Sequence, residues 1–83
     1  MFGLRKGDIM KGKKRYAKCI CSYVEGDNNG GTEYWTKGKL YEFHRHRFGK
    51  EFEYQIETNF ERWGYMGYGY GADFEDYFEI VWE

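Results

Sequence analysis

From residue 51 to residue 58 the chain alternates without a break. Phe52, Tyr54, Ile56 and Thr58 fall on one side, and Glu51, Glu53, Gln55 and Glu57 on the other. A period of two marks a strand with one buried face. Residues 40–48 form a second strand, with Tyr41 and Phe43 on its apolar side, and Gly49-Lys50 joins the two. Glycine at the first of two turn positions predicts a type II′ hairpin. That turn sets Phe43 opposite Ile56 and His46 opposite Glu53. A slip of one residue would turn every glutamate inward, so the register is strongly specified.

The same pattern, weaker, extends to both ends. Residues 16–25 read as one strand, with Ala17, Cys19, Cys21 and Tyr23 on a common face. The Gly- and Asn-rich stretch 26–31 is a loop. Residues 33–36 lead into a tight turn at 37–39, where Gly38 supplies a positive φ without penalty. Residues 60–68 read as a strand interrupted by Gly64 and Gly67, 73–77 as one helical turn capped by Asp73, and 78–82 as a closing strand. Five short strands without a long helix predict an all-β domain, a small barrel or half-open sandwich. Closing the sheet would also remove edges prone to aggregation. Residues 1–15 show no sustained period and read as a basic flexible arm ahead of a domain at 16–83.

Composition changes that picture in one respect. Leu, Ile and Val number only eight in 83 residues, whereas Phe, Tyr and Trp supply 19. Each ring buries about 150–250 Å², so an aromatic core can replace an aliphatic one. A chain this short holds one domain. No apolar run approaches the ~18 residues of a membrane-spanning helix, and no apolar segment follows the N-terminal charges as in a signal peptide. The net charge is −1, but residues 1–50 carry 12 Lys or Arg against 5 acids, and residues 51–83 carry 1 base against 9 acids. Basic and acidic strands that pair in the fold account for this split. A phosphate-binding stretch is the alternative. Two cysteines alone do not make a disulfide-stapled secreted module, so a reducing cytoplasm is expected.

Three segments carry a resemblance. Lys18-Cys19-Ile20, Lys37-Gly38-Lys39-Leu40-Tyr41 and Phe78-Glu79-Ile80-Val81 resemble the first strand, central turn and ending of small phage-encoded and bacterial proteins. The order of elements is similar to that of SH3-like barrels, with a glycine-bearing turn before the second strand and a helical turn before the last. Over residues 16–82 the resemblance implies a small five-stranded SH3-like barrel, a phage origin and a host cytoplasm. It implies no catalytic residue, and fold alone does not fix function.

Candidate chemistry is sparse. No phosphate-binding loop, metalloprotease helix or nucleophile elbow is present, so neither an enzyme nor a cofactor is expected. The tract from Trp63 to Gly71 is the most unusual composition. Tyr and Gly together give adaptable contact surface at low entropic cost, as in antibody paratopes. Trp63, Tyr65, Tyr68 and Tyr70 are therefore the first candidates for binding a protein partner. Arg45 and Arg47, on the same strand face as Phe43, come second. With the phage origin that the resemblance implies, binding of this kind implies a modulator or inhibitor of a host or defence factor. As alternatives, Lys11, Lys13, Lys14 and Arg15 grip the phosphates of a nucleic acid while tyrosines stack on its bases, or the chain assembles with itself. Cys19, Cys21, His44 and His46 offer a zinc ligand set only if both pairs face each other, and their spacing departs from the usual Cys-x₂₋₄-Cys.

Overall fold

The computed structural model describes residues 14–26 and 30–83. They form β1 (Arg15–Cys19), β2 (Tyr23–Glu25), β3 (Thr32–Trp35), β4 (Leu40–Tyr41), β5 (Phe43–Phe48), β6 (Glu51–Glu57), β7 (Trp63–Gly67), the helical turn α1 (Phe74–Tyr77) and β8 (Phe78–Trp82). The all-β expectation holds. The strands make three antiparallel sheets, ordered β4-β1-β8, β2-β3 and β5-β6-β7, in place of one closed barrel. Among the described residues no helix is long and apolar enough to cross a membrane.

The central hairpin follows its pattern residue for residue. Phe43 pairs with Ile56 and His46 with Glu53. Gly49 has φ 65°, while Lys50 stays at negative φ, which selects type II′ over type I′. Residues 40–48 differ from expectation at one point: Glu42 interrupts the strand, and the chain passes there from the first sheet to the third. The ladder is not lost, because the Glu42 carbonyl still accepts the Glu57 amide at 2.9 Å.

Residues 16–25 are two strands rather than one. After Cys19 the backbone finds partners outside any ladder. Ile20 N donates to the Tyr77 carbonyl at 2.7 Å and Gly38 N to the Cys19 carbonyl at 2.8 Å, while Ser22 Oγ accepts Lys37 N. The bend carries Cys21 out to solvent while Cys19 stays buried. At the other boundary, ordered pairing starts before residue 16: Lys14 and Glu83 exchange both backbone hydrogen bonds at 2.9 Å, and Arg15 is already in β1. The rest of the expected arm lies outside the described residues. Residues 60–62 are a turn, with Glu61 at φ 59°, and the strand begins at Trp63. Asp73 does precede α1 in extended geometry, but its side chain makes no capping bond.

The core is largely aromatic, as the composition requires. Among the described residues ten buried apolar side chains form it, and six are rings: Trp35, Tyr41, Phe43, Tyr54, Phe74 and Phe78. Tyr54 of β6 stacks on Phe74 of α1 at 3.9 Å, and Phe74 on Phe78 of β8 at 5.2 Å. Phe78 meets Trp35 of β3 edge-on at 5.5 Å. This column of rings joins all three sheets and the helical turn, each contact contributing about 0.5–1.5 kcal/mol beyond area burial. Asn59 fastens the turn after β6 to β3: its amide donates to the Tyr34 carbonyl, its Nδ2 to the Glu33 carbonyl, and its Oδ1 accepts the Tyr41 hydroxyl at 2.8 Å.

Candidate functional site: an aromatic face on the β5-β6-β7 sheet

Alternation on β6 and β7 decides which rings stay outside. Tyr54 pairs with Met66 and Ile56 with Gly64, and Tyr54, Ile56 and Met66 are buried. Their neighbours Glu57–Trp63 and Gln55–Tyr65 therefore point to the opposite face. On that face Trp63 and Tyr65 are each 42% exposed. His44 lies 5.3 Å from Trp63. Tyr70 folds back to stack on Tyr65 at 5.4 Å and 17°, and its hydroxyl donates to Glu53 Oε2 at 3.2 Å. Desolvation among these neighbours, and then the Glu53 carboxylate, push the Tyr70 pKa up, so the phenol stays neutral and remains a donor. At the hairpin end Tyr68 stacks on Phe48 at 5.1 Å, both exposed.

Two glycines make this arrangement. Gly67 at φ 96° and Gly69 at φ 80° reverse the chain, and Tyr70 N closes the turn on the Gly67 carbonyl at 2.9 Å. Glycine is the residue that takes such angles without cost.

The structure thus brings Trp63, Tyr65 and Tyr70 together, with Tyr68 at the edge. It does not bring Arg45 and Arg47 to them. Arg45 pairs with Tyr54 and Arg47 with Phe52, on the other face of the sheet. The Arg45 guanidinium sits 4.5 Å from the Phe52 ring, and Arg47 Nε donates to the Gly49 carbonyl. The basic candidates are also apart from the tyrosines. Lys14 pairs with Glu42 at 3.3 Å, and the Arg15 guanidinium covers the core ring of Phe43 at 5.0 Å. Lys18 stands opposite Glu79 in register, in line with basic and acidic strands pairing with each other. Lys11 and Lys13 lie outside the described residues.

The zinc alternative fails on geometry. Cys19 is in the core, Cys21 has swung outward at the bend, and His44 and His46 project from the outer face of β5. The expected common face for the two thiols required an unbroken strand, and the bend at Ile20 removes it. Among the described residues no three His, Cys, Asp or Glu side chains converge to hold a metal ion. Burial pushes the Cys19 thiol pKa up, against a smaller lowering from its hydrogen bond to the Cys21 carbonyl. Less thiolate at neutral pH and no access make it inert. A maleimide is expected to label one thiol per chain in the native protein and both in denaturant. Rapid native labelling of both, read by mass spectrometry, would show that Cys19 is not held in the core.

Residue patterns alone do not single out the site's other wall. A groove of about 690 Å³ runs between β7 and the β2-β3 pair, and its aromatic lining includes Tyr23, Tyr34, Trp35 and Phe60. Phe60 is 52% exposed, held edge-on to Tyr34 at 5.7 Å. Phe48 was detectable in principle: continued alternation from Phe43 places it on the side opposite the apolar face, an unexplained outward ring.

Comparison with protein families, curated proteins and solved structures gives no match.

Proposed function

We propose that this chain is a small non-enzymatic binding protein that captures another protein through the solvent face of the β5-β6-β7 sheet. One observation carries the reading: with the core already filled by other rings, Phe48, Trp63, Tyr65, Tyr68 and Tyr70 remain 42–46% exposed, with Phe48 pre-stacked on Tyr68 and Tyr65 on Tyr70. Ordering rings before contact lowers the entropic cost of binding. The placement of β1 between β4 and β8, the crossing at Glu42 and the helical turn before β8 support an SH3-like, half-open arrangement. The three resembling segments support a phage origin and a host or defence factor as the partner.

Nucleic-acid binding fits less well. It needs bases and tyrosines on one surface, whereas Lys14 and Arg15 contact Glu42 and Phe43, and Glu53 accepts a bond from Tyr70. A phosphate backbone over this face would meet carboxylates. Replacing Tyr65, Tyr68 and Tyr70 together by Ser is expected to abolish partner capture in affinity purification with nuclease present. The urea midpoint should shift little, because these rings are outside the core. Undiminished capture by the triple variant would remove this surface from consideration.

A further inference from the structure

β7 is an outer strand, paired among the described residues with β6 alone. Two ladder bonds fix its polarity: Thr58 N donates to the Arg62 carbonyl and Tyr68 N to the Phe52 carbonyl. In an antiparallel ladder the bonded pairs recur every second residue, so the amides and carbonyls of Gly64 and Met66 also face β6. Those of Trp63, Tyr65 and Gly67 face away. Gly67 is satisfied internally, its amide by Ala72 and its carbonyl by Tyr70. Among the described residues, Trp63 and Tyr65 are left offering an open edge.

The aromatic groove runs along that edge. It is lined by Trp63, Gly64 and Tyr65 in succession, facing Tyr23 and Tyr34. Consecutive strand residues point to alternate faces, so a single cavity touches all three only from the strand's side. An added strand sits about 4.8 Å from its neighbour, and its alternate residues would meet two different environments. Outward residues would lie beside Trp63 and Tyr65, with Glu57 and Glu53 on the next strand. Rings and carboxylates both attract cations. Inward residues would meet the rings of Tyr23, Tyr34 and Phe60. The groove's own charged residues, Glu25 and Arg62, offset each other, and on the outer face the basic side chain beside Trp63 is His44, 5.3 Å away.

We infer that the partner binds by strand addition to β7, through an extended segment in which Arg or Lys alternates with apolar residues. This deepens the proposed binding role and rests on it. The alternation follows from the two faces: cations over the acidic aromatic side, apolar side chains in the groove.

The test is selection of a displayed random 12-residue peptide library on the full chain, with the Tyr65→Ser/Tyr68→Ser/Tyr70→Ser variant as counter-screen. Peptides that need the tyrosines are expected to alternate basic and apolar residues. A synthetic representative should slow hydrogen exchange at the Trp63 and Tyr65 amides. It should bind about tenfold more weakly to Glu53→Gln/Glu57→Gln, a loss visible in a titration. Tyrosine-dependent peptides lacking basic residues, or no protection at residues 63 and 65, would overturn the strand-addition inference and leave the binding face standing. Absence of any tyrosine-dependent peptide would remove the face itself. A two-chain mass by light scattering, with the same amides protected in the protein alone, would assign the edge to a second copy and overturn the inference too.

Discussion

Trp35→Ala is expected to cost about 3–5 kcal/mol, the range for deleting a buried large ring. A chain of this length has only about 4–12 kcal/mol to lose, so the variant should be largely unfolded at 37 °C. Trp35 is 4% exposed and touches every sheet. Its ring meets Phe78 of β8 at 5.5 Å and Tyr23 of β2 at 5.4 Å, and its Nε1 donates to the Glu57 carbonyl at 2.9 Å. A Cβ added at Gly64 would come within 2.5 Å of the same ring. The indole therefore occupies space that β7 keeps open for it. Trp35→Phe retains much of the ring and loses the hydrogen bond, at a cost of about 1–2 kcal/mol. Urea denaturation of both variants checks the pair. A Trp35→Ala midpoint shift worth under about 1 kcal/mol would mean the surroundings collapse into the cavity, and that Trp35 does not hold the sheets together.

Trp35 also shows where the sequence stops being informative. Its segment, Glu33-Tyr34-Trp35-Thr36, has no clear alternation and reads as an approach to the turn at 37–39. Its role as the hub depends on where β8 and β7 arrive from elsewhere in the chain. By contrast, the β5-β6 hairpin is specified locally. A two-residue turn sets the register and Glu51, Glu53 and Glu57 penalise any slip, so the pairing of Phe43 with Ile56 is written within residues 40–58. The bends at Ile20 and Glu42 are not local properties. Each exists because the backbone finds a distant partner: Ile20 N bonds to the Tyr77 carbonyl, and the residues before Glu42 pair with β1, Tyr41 opposite Ala17. Without those partners the hydrophobic pattern runs on, and two strands read as one.

The site was legible to a similar depth. Tyr and Gly crowding at 63–71 marks the tract, and Trp63, Tyr65, Tyr68 and Tyr70 are outside as their composition suggested. Arg45 and Arg47 do lie on the Phe43 face of their strand, but sharing a strand with aromatic residues says nothing about which face the tyrosines of another strand occupy. Alternation on β6 and β7 settles that only once the pairing is known. The groove requires the β2-β3 pair to stand alongside β7, a tertiary fact that no periodicity carries.

Gly67→Ala is the second large effect expected, and it links the fold to the site. Gly67 lies at φ 96°, and a Cβ there would come within 2.3 Å of the Phe52 carbonyl oxygen. That oxygen is backbone and already accepts the Tyr68 amide at 2.9 Å, so it has little room to yield. Left-handed strain alone costs about 1–2 kcal/mol for an L-residue, and the backbone clash should raise the loss to about 3 kcal/mol. Gly69 separates the two contributions. It has φ 80° but open space where its Cβ would go, so Gly69→Ala should show the strain alone. Urea melts of the two variants should therefore differ by at least about 1 kcal/mol. Equal losses would mean that the approach to Phe52 is relaxed in solution. Because Gly67 sets the return of Tyr70 over Tyr65, its substitution should also weaken partner capture under conditions where the protein remains folded, whereas an added methyl at Gly69, clear of other atoms, leaves the Gly67–Tyr70 turn bond and the stacked pair in place.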